Sequence, residues 1–202
     1  MLTRSPIPVL LVTHDREEAL ALADEVQVID EGRPLALGKP LDILAQPGQG
    51  RVARLVGVEN LFPLTVESRS PRDGTMVCVG GGLRIEVPLD EPVQAPEFDG
   101  TEGDRVAVAI RASDIILAAR EIRGSSARNQ LRGVVSSVEL RPPGYEVALD
   151  CGQPVRCHIT GRALEEMNIR PGLVLWAVFK ASSCFLVQDP RAEGEQQPAA
   201  DA

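Results

Sequence analysis

The stretch GDRVAVAIRAS at residues 103–113 returns in outline as GLVLWAVFKAS at residues 172–182. The second stretch begins 69 residues after the first, and the same distance separates Asn60 from Asn129. A pattern repeated at one constant distance is typical of duplicated structural units. The sequence therefore predicts two related units of similar fold.

The residues around these stretches form short apolar segments separated by Gly, Pro and Asp, which is typical of strands joined by turns. Only 3% of the residues are aromatic, so the core has to be built from Val, Leu, Ile and Ala. One copy is predicted over 56–118 and the other over 125–187. The predicted fold class is mainly β, with tandem β-barrels preceded by a partial α/β segment. The predicted domains are 1–46, 47–120 and 125–189, with a disordered tail over 190–202.

The first 46 residues have the pattern of the α/β segment. The apolar run Pro8–Thr13 predicts a buried strand, and Asp15 predicts a helix N-cap followed by acidic residues in the first turn. The remaining predicted elements are strands at Val26–Ile29 and Leu35–Leu37, a turn at Glu31-Gly32-Arg33, a helix from Pro40 to Ala45, and a linker at Gln46–Gly50.

Charge, hydropathy and cysteine use limit the classes of function. The formal net charge of −8 argues against a nucleic-acid partner, since affinity for a phosphate backbone requires a basic face. No signal peptide and no apolar run of about 20 residues occurs, which predicts a cytoplasmic protein, at most peripheral at the inner face of the cell membrane.

The four cysteines form no CxxC pair and alternate with apolar residues, which predicts structural thiols and no metal site. They are Cys78, Cys151, Cys157 and Cys184.

The second copy carries serines and cations at both of its ends. GSSARNQL at residues 124–131 precedes its first strand, and KASS at residues 180–183 lies near its last. A tetrahedral dianion offers only acceptor oxygens, so binding it requires N–H and O–H donors and about one or two cations. Serine hydroxyls, backbone amides in a turn and the Lys180 ammonium meet this requirement. The two segments therefore predict an oxyanion site.

The motif SARNQLRG at residues 126–133, together with KAS at 180–182, resembles the signature of Mop-type molybdate-binding domains of the TOBE group. The resemblance covers residues 125–187. It implies a five-stranded OB-like barrel that binds molybdate or tungstate, usually at a subunit interface, and hence a homodimer. The oxyanion contacts that it implies are Ser126, Ala127, Arg128, Asn129, Thr160, Lys180, Ala181 and Ser182.

A structural interpretation of these residues stays open. Ser126 also suits a turn, and Asn129 also suits a side chain that hydrogen-bonds to backbone. Arg128 and Lys180 are equally compatible with ordinary surface cations. The two motifs together, at this distance in a barrel-like pattern, favour binding.

The first copy departs from the motif. Gly57 and Glu59 occupy the positions of Ser126 and Arg128, and Asp114 adds a further negative charge. A carboxylate repels a dianion. We therefore expect the first copy to be a structural half, or at best a weak site.

The segments LLVTHD at residues 10–15, VIDEGR at 28–33 and GKP at 38–40 resemble the switch-histidine region of ABC transporter ATPases. The resemblance implies that His14 corresponds to the histidine that contacts the γ-phosphate. Phosphoryl transfer also requires a phosphate-binding loop with its lysine and a carboxylate for Mg²⁺. No GxxxxGK[ST] or LSGGQ-like motif occurs in this sequence. We expect no ATPase activity from this chain alone, with ATP a ligand only of a complete parent subunit.

Three functions remain in view. The first is a regulatory domain of a molybdate ABC import system that binds molybdate or tungstate and lacks a complete ATPase site of its own. The second is a fragment of the ATP-hydrolysing subunit of a molybdate or sulfate importer, acting with its missing N-terminal part and a membrane permease. The third is a ligand-free dimerisation module.

Overall fold

The computed structural model describes residues 8–44, 47–89 and 101–187. The predicted tail at 190–202 and the start of the predicted linker lie outside these residues.

The N-terminal part is a small α/β unit. It contains α1 (Arg16–Leu22), β1 (Val26–Asp30), β2 (Arg33–Gly38) and α2 (Pro40–Leu44), and β1 pairs antiparallel with β2. The predicted N-cap is confirmed, since the Asp15 carboxylate accepts hydrogen bonds from two first-turn amides at 2.7 and 3.1 Å. The predicted strand positions and the turn between them are also confirmed.

The predicted strand at Pro8–Thr13 is wrong, because these residues have no regular secondary structure. Leu10 and Val12 are 91% and 88% exposed. A β-strand requires a neighbour that pairs with its N–H and C=O groups, and within the described residues the β1–β2 hairpin pairs only with itself. An apolar composition without such a neighbour does not form a strand.

A helix that the sequence did not predict, α3 (Gly50–Leu55), begins at the end of the predicted linker. Val52 packs with Ile43 and Leu44 of α2 in a small apolar cluster. Arg51 donates a hydrogen bond to the Asp30 carboxylate at 2.7 Å. This helix therefore attaches the N-terminal unit to the β-region.

Two sets of strands follow, and they repeat in the same order. The first set is β3 (Asn60–Ser70), β4 (Thr75–Gly80), β5 (Leu83–Pro88), β6 (Arg105–Ile110) and β7 (Ile116–Ala118). The second set is β8 (Asn129–Arg141), β9 (Gly144–Asp150), β10 (Pro154–Ile159), β11 (Val174–Phe179) and β12 (Phe185–Val187), with helix α4 (Gly161–Glu166) after β10. Short 3-10 turns lie at Ala112–Asp114 and Ala181–Ser183.

The predicted repeat distance is confirmed by these elements. β3, β6, the first 3-10 turn and β7 begin at residues 60, 105, 112 and 116, and their counterparts begin at 129, 174, 181 and 185, a difference of 69 in each case. The fold is mainly β, as predicted, with 47% of the described residues in strands.

The last strand of each repeat lies in the sheet of the other repeat. One sheet has the order β12-β6-β3-β4-β5 and the other has the order β10-β9-β8-β11-β7. Phe185 is opposite Ala109 in the first sheet, and Trp176 is opposite Ala118 in the second. Buried residues of both repeats, including Ile85, form one apolar cluster. The two repeats therefore form a single interlocked core.

The hairpin turns of the two repeats also meet. A side chain at Gly152 would place its Cβ 2.8 Å from the carbonyl oxygen of Gly81, and Gly152 has φ +99°. Gln153 donates a hydrogen bond to the carbonyl oxygen of Gly80 at 3.1 Å. Glycine at position 152 therefore permits both the turn and the close approach.

Two buried asparagines connect the repeats in the same way. Asn60, at the start of β3, donates to the Arg156 carbonyl at 2.9 Å and accepts from the Arg156 N–H at 2.7 Å. Asn129, at the start of β8, makes the matching bonds to Glu86 at 2.8 and 2.7 Å. Both asparagines are 2% exposed. Each repeat thus holds an edge strand of the other repeat's sheet, β10 or β5, through one amide side chain.

Replacement of either asparagine by alanine should lower the free energy of unfolding by about 2–4 kcal/mol, because one N–H and one C=O would stay buried without partners. Urea unfolding followed by circular dichroism measures this loss.

The matched control is Gln130→Ala. Gln130 makes the same pair of bonds to the backbone of Ile122, at 2.8 Å each, but in a solvent-exposed position. Water can replace that side chain, so a loss of about 1 kcal/mol or less is expected. Equal losses for all three variants would contradict the structural role of Asn60 and Asn129.

Candidate functional site

Three segments meet at the Asn129 end of the interlocked core. Phe179, the last residue of β11, pairs with Asn129, the first residue of β8. Arg128 and Lys180 therefore lie next to each other just beyond the paired ends of these two strands. The 3-10 turn at Ala181–Ser183 packs against β5 of the other repeat. The sequence-predicted motifs at 126–129 and 180–182 are thus brought together.

The donors at this end differ in burial. Ser126, Lys180 and Ser182 are exposed, Ala127 is half-buried, and Ala181 is 9% exposed. Within the described residues, the N–H of Ala181 has no acceptor. The Lys180 ammonium, the Ser182 hydroxyl and the Ala181 N–H are therefore available to an anion at this surface. Ser126 and Arg128 lie on the adjoining segment.

Arg128 has an anionic partner from the other repeat. Its Nε lies 3.4 and 3.3 Å from the two carboxylate oxygens of Glu86. The Arg128 side chain is 65% exposed and that of Glu86 is 21% exposed. An exposed pair of this kind contributes about 1 kcal/mol or less, so it can open at little cost. Sequence analysis missed Glu86, because it lies outside both motifs and reaches the site only through the pairing of β5 with Asn129.

Two of the predicted site residues have other contacts. The Asn129 amide is occupied by the backbone of Glu86, with Cys184 Sγ 3.9 Å from its Nδ2. These contacts match the alternative interpretation, in which Asn129 bonds to backbone. Thr160 accepts a hydrogen bond from the Ala163 N–H at 3.2 Å and caps α4. Thr160 directly follows β10, the strand that Asn60 holds, so the structure does not place it with the residues at the Asn129 end.

The Asn60 end carries charges of opposite sign at the two corresponding positions. Glu59 precedes Asn60 as Arg128 precedes Asn129. Asn60 bonds to the backbone of Arg156 as Asn129 bonds to the backbone of Glu86, so Arg156 corresponds to Glu86. Glu59 Oε2 accepts a hydrogen bond from the Ala112 N–H at 2.9 Å. This end therefore presents a carboxylate where the other end presents a guanidinium.

His14 is exposed and lies in the bend just before α1. Its neighbours Thr13 and Asp15 bond to Glu18 and to first-turn amides. The structure thus places this residue at the surface of the small N-terminal unit, far along the chain from the oxyanion motifs.

The cysteines are free. Burial raises the pKa of the Cys78 and Cys151 thiols to about 11 and that of Cys184 to about 12, and it raises the pKa of Cys157 further. Across 8–44, 47–89 and 101–187, no group of His, Cys, Asp and Glu has the arrangement of a metal site.

Comparison with known proteins relates the second repeat to a domain family. The TOBE domain family matches residues 125–186. Residues 125–186 are therefore a TOBE domain.

The chain is homologous to the C-terminal region of import ATP-binding proteins. It is 32% identical over 173 residues to the molybdate/tungstate import ATP-binding protein WtpC of Pyrococcus horikoshii, covering 85% of this chain and 45% of that protein. It is 31% identical over 198 residues to the molybdenum import ATP-binding protein ModC of Rhodospirillum rubrum, covering 94% of this chain and 50% of that protein. The chain thus spans about half the length of the curated relatives it matches.

Importers of other substrates share part of this sequence. The spermidine/putrescine import ATP-binding protein PotA of Oleidesulfovibrio alaskensis is 37% identical over 114 residues, covering 55% of this chain and 28% of that protein. Sequence similarity alone therefore does not decide the ligand.

A solved structure shares the tandem β-architecture. The molybdate-bound crystal structure of the cytoplasmic molybdate-binding protein ModG matches with a TM-score of 0.55 and 25% identity, over 65% of this chain and 97% of that one. The match extends well beyond one TOBE domain.

Among the helices of the described residues, none has the length and apolarity of a membrane span.

The thiol pKa values lead to a prediction. At pH 8 the thiols stay protonated, since their raised pKa values lie well above that pH, and burial blocks access. Native protein should react with iodoacetamide far more slowly than protein unfolded in guanidinium chloride, as measured by mass spectrometry. Rapid labelling of Cys78 or Cys184 in the native state would contradict their burial.

Proposed function

We propose that this chain binds molybdate or tungstate at the Asn129 end and serves as a regulatory domain of a molybdate ABC import system. The observation that carries the proposal is the convergence of Arg128, Lys180 and the Ala181–Ser183 turn at the junction of the two repeats. The molybdate-bound ModG structure supports the choice of ligand.

The chemistry of the site suits a tetrahedral dianion. Arg128 and Lys180 supply positive charge, Ser126 and Ser182 supply hydroxyl donors, and the Ala181 N–H supplies a backbone donor. The chain as a whole carries a net charge of −8, so anion affinity has to come from this local group of donors. Ala127 shapes the loop before β8, and Asn129 holds the site to β5 without contacting the ion.

The first repeat of the same chain contributes to the site a strand, β5, from outside the TOBE domain. A homodimer remains part of the proposal, because the motif resemblance implies sites at subunit interfaces. The proposed location is the cytoplasm, where the domain would act beside a membrane permease.

A second candidate function rests on the homology to ATP-binding proteins. In that case the chain is part of an ATP-hydrolysing importer subunit, and ATP binds only when the remaining part is present. ATP turnover by the chain itself, measured by phosphate release above background, would favour this candidate and would show that the chain hydrolyses ATP without the remaining part.

The combined change Ser126→Ala and Lys180→Ala should weaken molybdate binding by at least about 100-fold, because it removes a cation and a charge-assisted hydrogen bond. Isothermal titration calorimetry with molybdate, tungstate and sulfate measures affinity and selectivity together.

Lys39→Ala is the matched control, since Lys39 and Lys180 are the two lysines of the sequence. It should leave the affinity unchanged. Unchanged binding by the Ser126/Lys180 variant would refute the proposed site.

Glu86→Gln should tighten molybdate binding by about three- to tenfold, because Arg128 would no longer be paired with an internal carboxylate. The neutral side chain keeps its size, and the backbone bonds to Asn129 do not depend on it. Calorimetry measures the change, and the same substitution in an Arg128→Gln background should give a smaller gain.

Glu67→Gln is the control. Glu67 forms an ion pair with Arg84, and Arg84 lies on the same strand as Glu86. It removes the same charge from a different Arg–Glu pair. An equal gain for both variants would show a general charge effect instead of competition for Arg128.

A further inference from the structure

The 3-10 turn that follows β6 has a buried backbone donor. Ala112, its first residue, is 0% exposed, and its N–H points to Glu59 Oε2 at 2.9 Å. A charged acceptor on a buried amide makes a stronger hydrogen bond than a neutral one. The Glu59 carboxylate is thus fixed on this turn.

The corresponding turn in the second repeat lacks such an acceptor. Ala181 lies 69 residues after Ala112, and its N–H has no acceptor within the described residues. Position 128, which corresponds to Glu59, is an arginine and offers no acceptor. The turn N–H that bonds to the Glu59 carboxylate at the Asn60 end therefore has no internal acceptor at the Asn129 end.

Strand β10 of the second repeat packs against the 3-10 turn of the first repeat and brings nitrogen-bearing side chains to the Glu59 end. His158 Nε2 lies 3.9 Å from Glu59 Oε1, and Asn60 fixes the backbone of Arg156 on the same strand. Glu146 lies 3.4 Å from His158 and 3.9 Å from Arg156. The Asn60 end therefore has N–H donors of an anion site, with the Glu59 carboxylate on the buried turn amide and Glu146 beside His158 and Arg156.

We propose that the Glu59 carboxylate is a built-in anion that fills, at the Asn60 end, the position that the oxyanion takes at the Asn129 end. The proposal rests on the proposed function, because it treats the Ala181 turn as the ligand-bound counterpart. Two consequences follow. The natural chain binds one oxyanion, and removal of the carboxylate opens a second site formed by Ala112, Ser113 and Arg156.

Calorimetric titration of the full chain with molybdate tests this. The natural protein should bind one molybdate per chain, and Glu59→Ala should bind two. The control Glu67→Ala also removes one carboxylate from the first repeat, where it pairs with Arg84, and should keep a stoichiometry of one. The thermal midpoint without anion checks that each variant is folded. Glu59→Ser replaces the alanine variant if that midpoint falls strongly.

Two further variants locate the new site. In the Glu59→Ala background, Arg156→Gln should return the stoichiometry to one. In the same background, the Ser126→Ala and Lys180→Ala changes should remove the original site and leave the new one. A natural stoichiometry of two, or a Glu59→Ala protein that binds no more molybdate than the natural protein, would overturn the inference.

The outcomes also separate the inference from the proposed function. If the natural chain binds one molybdate that depends on Lys180 but Glu59→Ala adds none, the function holds and the inference fails. If the natural chain binds none and Glu59→Ala binds one that depends on Arg156, the inference holds and the Asn129 end is not the natural site. If neither protein binds molybdate, both are wrong.

Discussion

The fold depends on two buried amide side chains that hydrogen-bond to peptide groups of the opposite repeat. Asn60 and Asn129 each satisfy one N–H and one C=O of a strand that has no other neighbour on that side. A buried peptide group without a partner destabilises the native state, so each amide makes the approach of the repeats possible. The same bonds bring β5 and β10 to the ends where the charged residues lie.

Local patterns in the sequence were enough to predict the duplication, the mainly β class and the Asp15 cap, because these depend on residues close together in the chain. The exchange of β7 and β12 was not predictable, since a short apolar strand has the same pattern whichever sheet it joins. The error at Pro8–Thr13 has a related cause, because strand formation requires a partner that composition does not reveal. Arg128 and Lys180 were predictable from motifs, whereas Glu86 reaches the site only through tertiary pairing.

The two ends of the molecule show how a duplicated fold can diverge in charge while its backbone is kept. Arg128 faces Glu86 at one end, and Glu59 and Arg156 hold the corresponding positions at the other. An exchange of sign at two positions leaves the asparagine bonds unaltered, because those bonds involve the backbone of Glu86 and Arg156. Electrostatic character at each end is therefore independent of what holds the repeats together.

The exchanged strands also determine when, during synthesis, the first repeat can complete its strand pairing. β7 pairs with β11, which ends at Phe179, and β6 pairs with β12, which ends at Val187. The first repeat cannot complete its native pairing until nearly the whole described chain has left the ribosome. Such distant pairings slow folding, and they leave strand edges of the nascent first repeat unprotected in the meantime. Premature termination before β12 would thus deprive β6 of the first repeat of its native partner, even where the second sheet is complete.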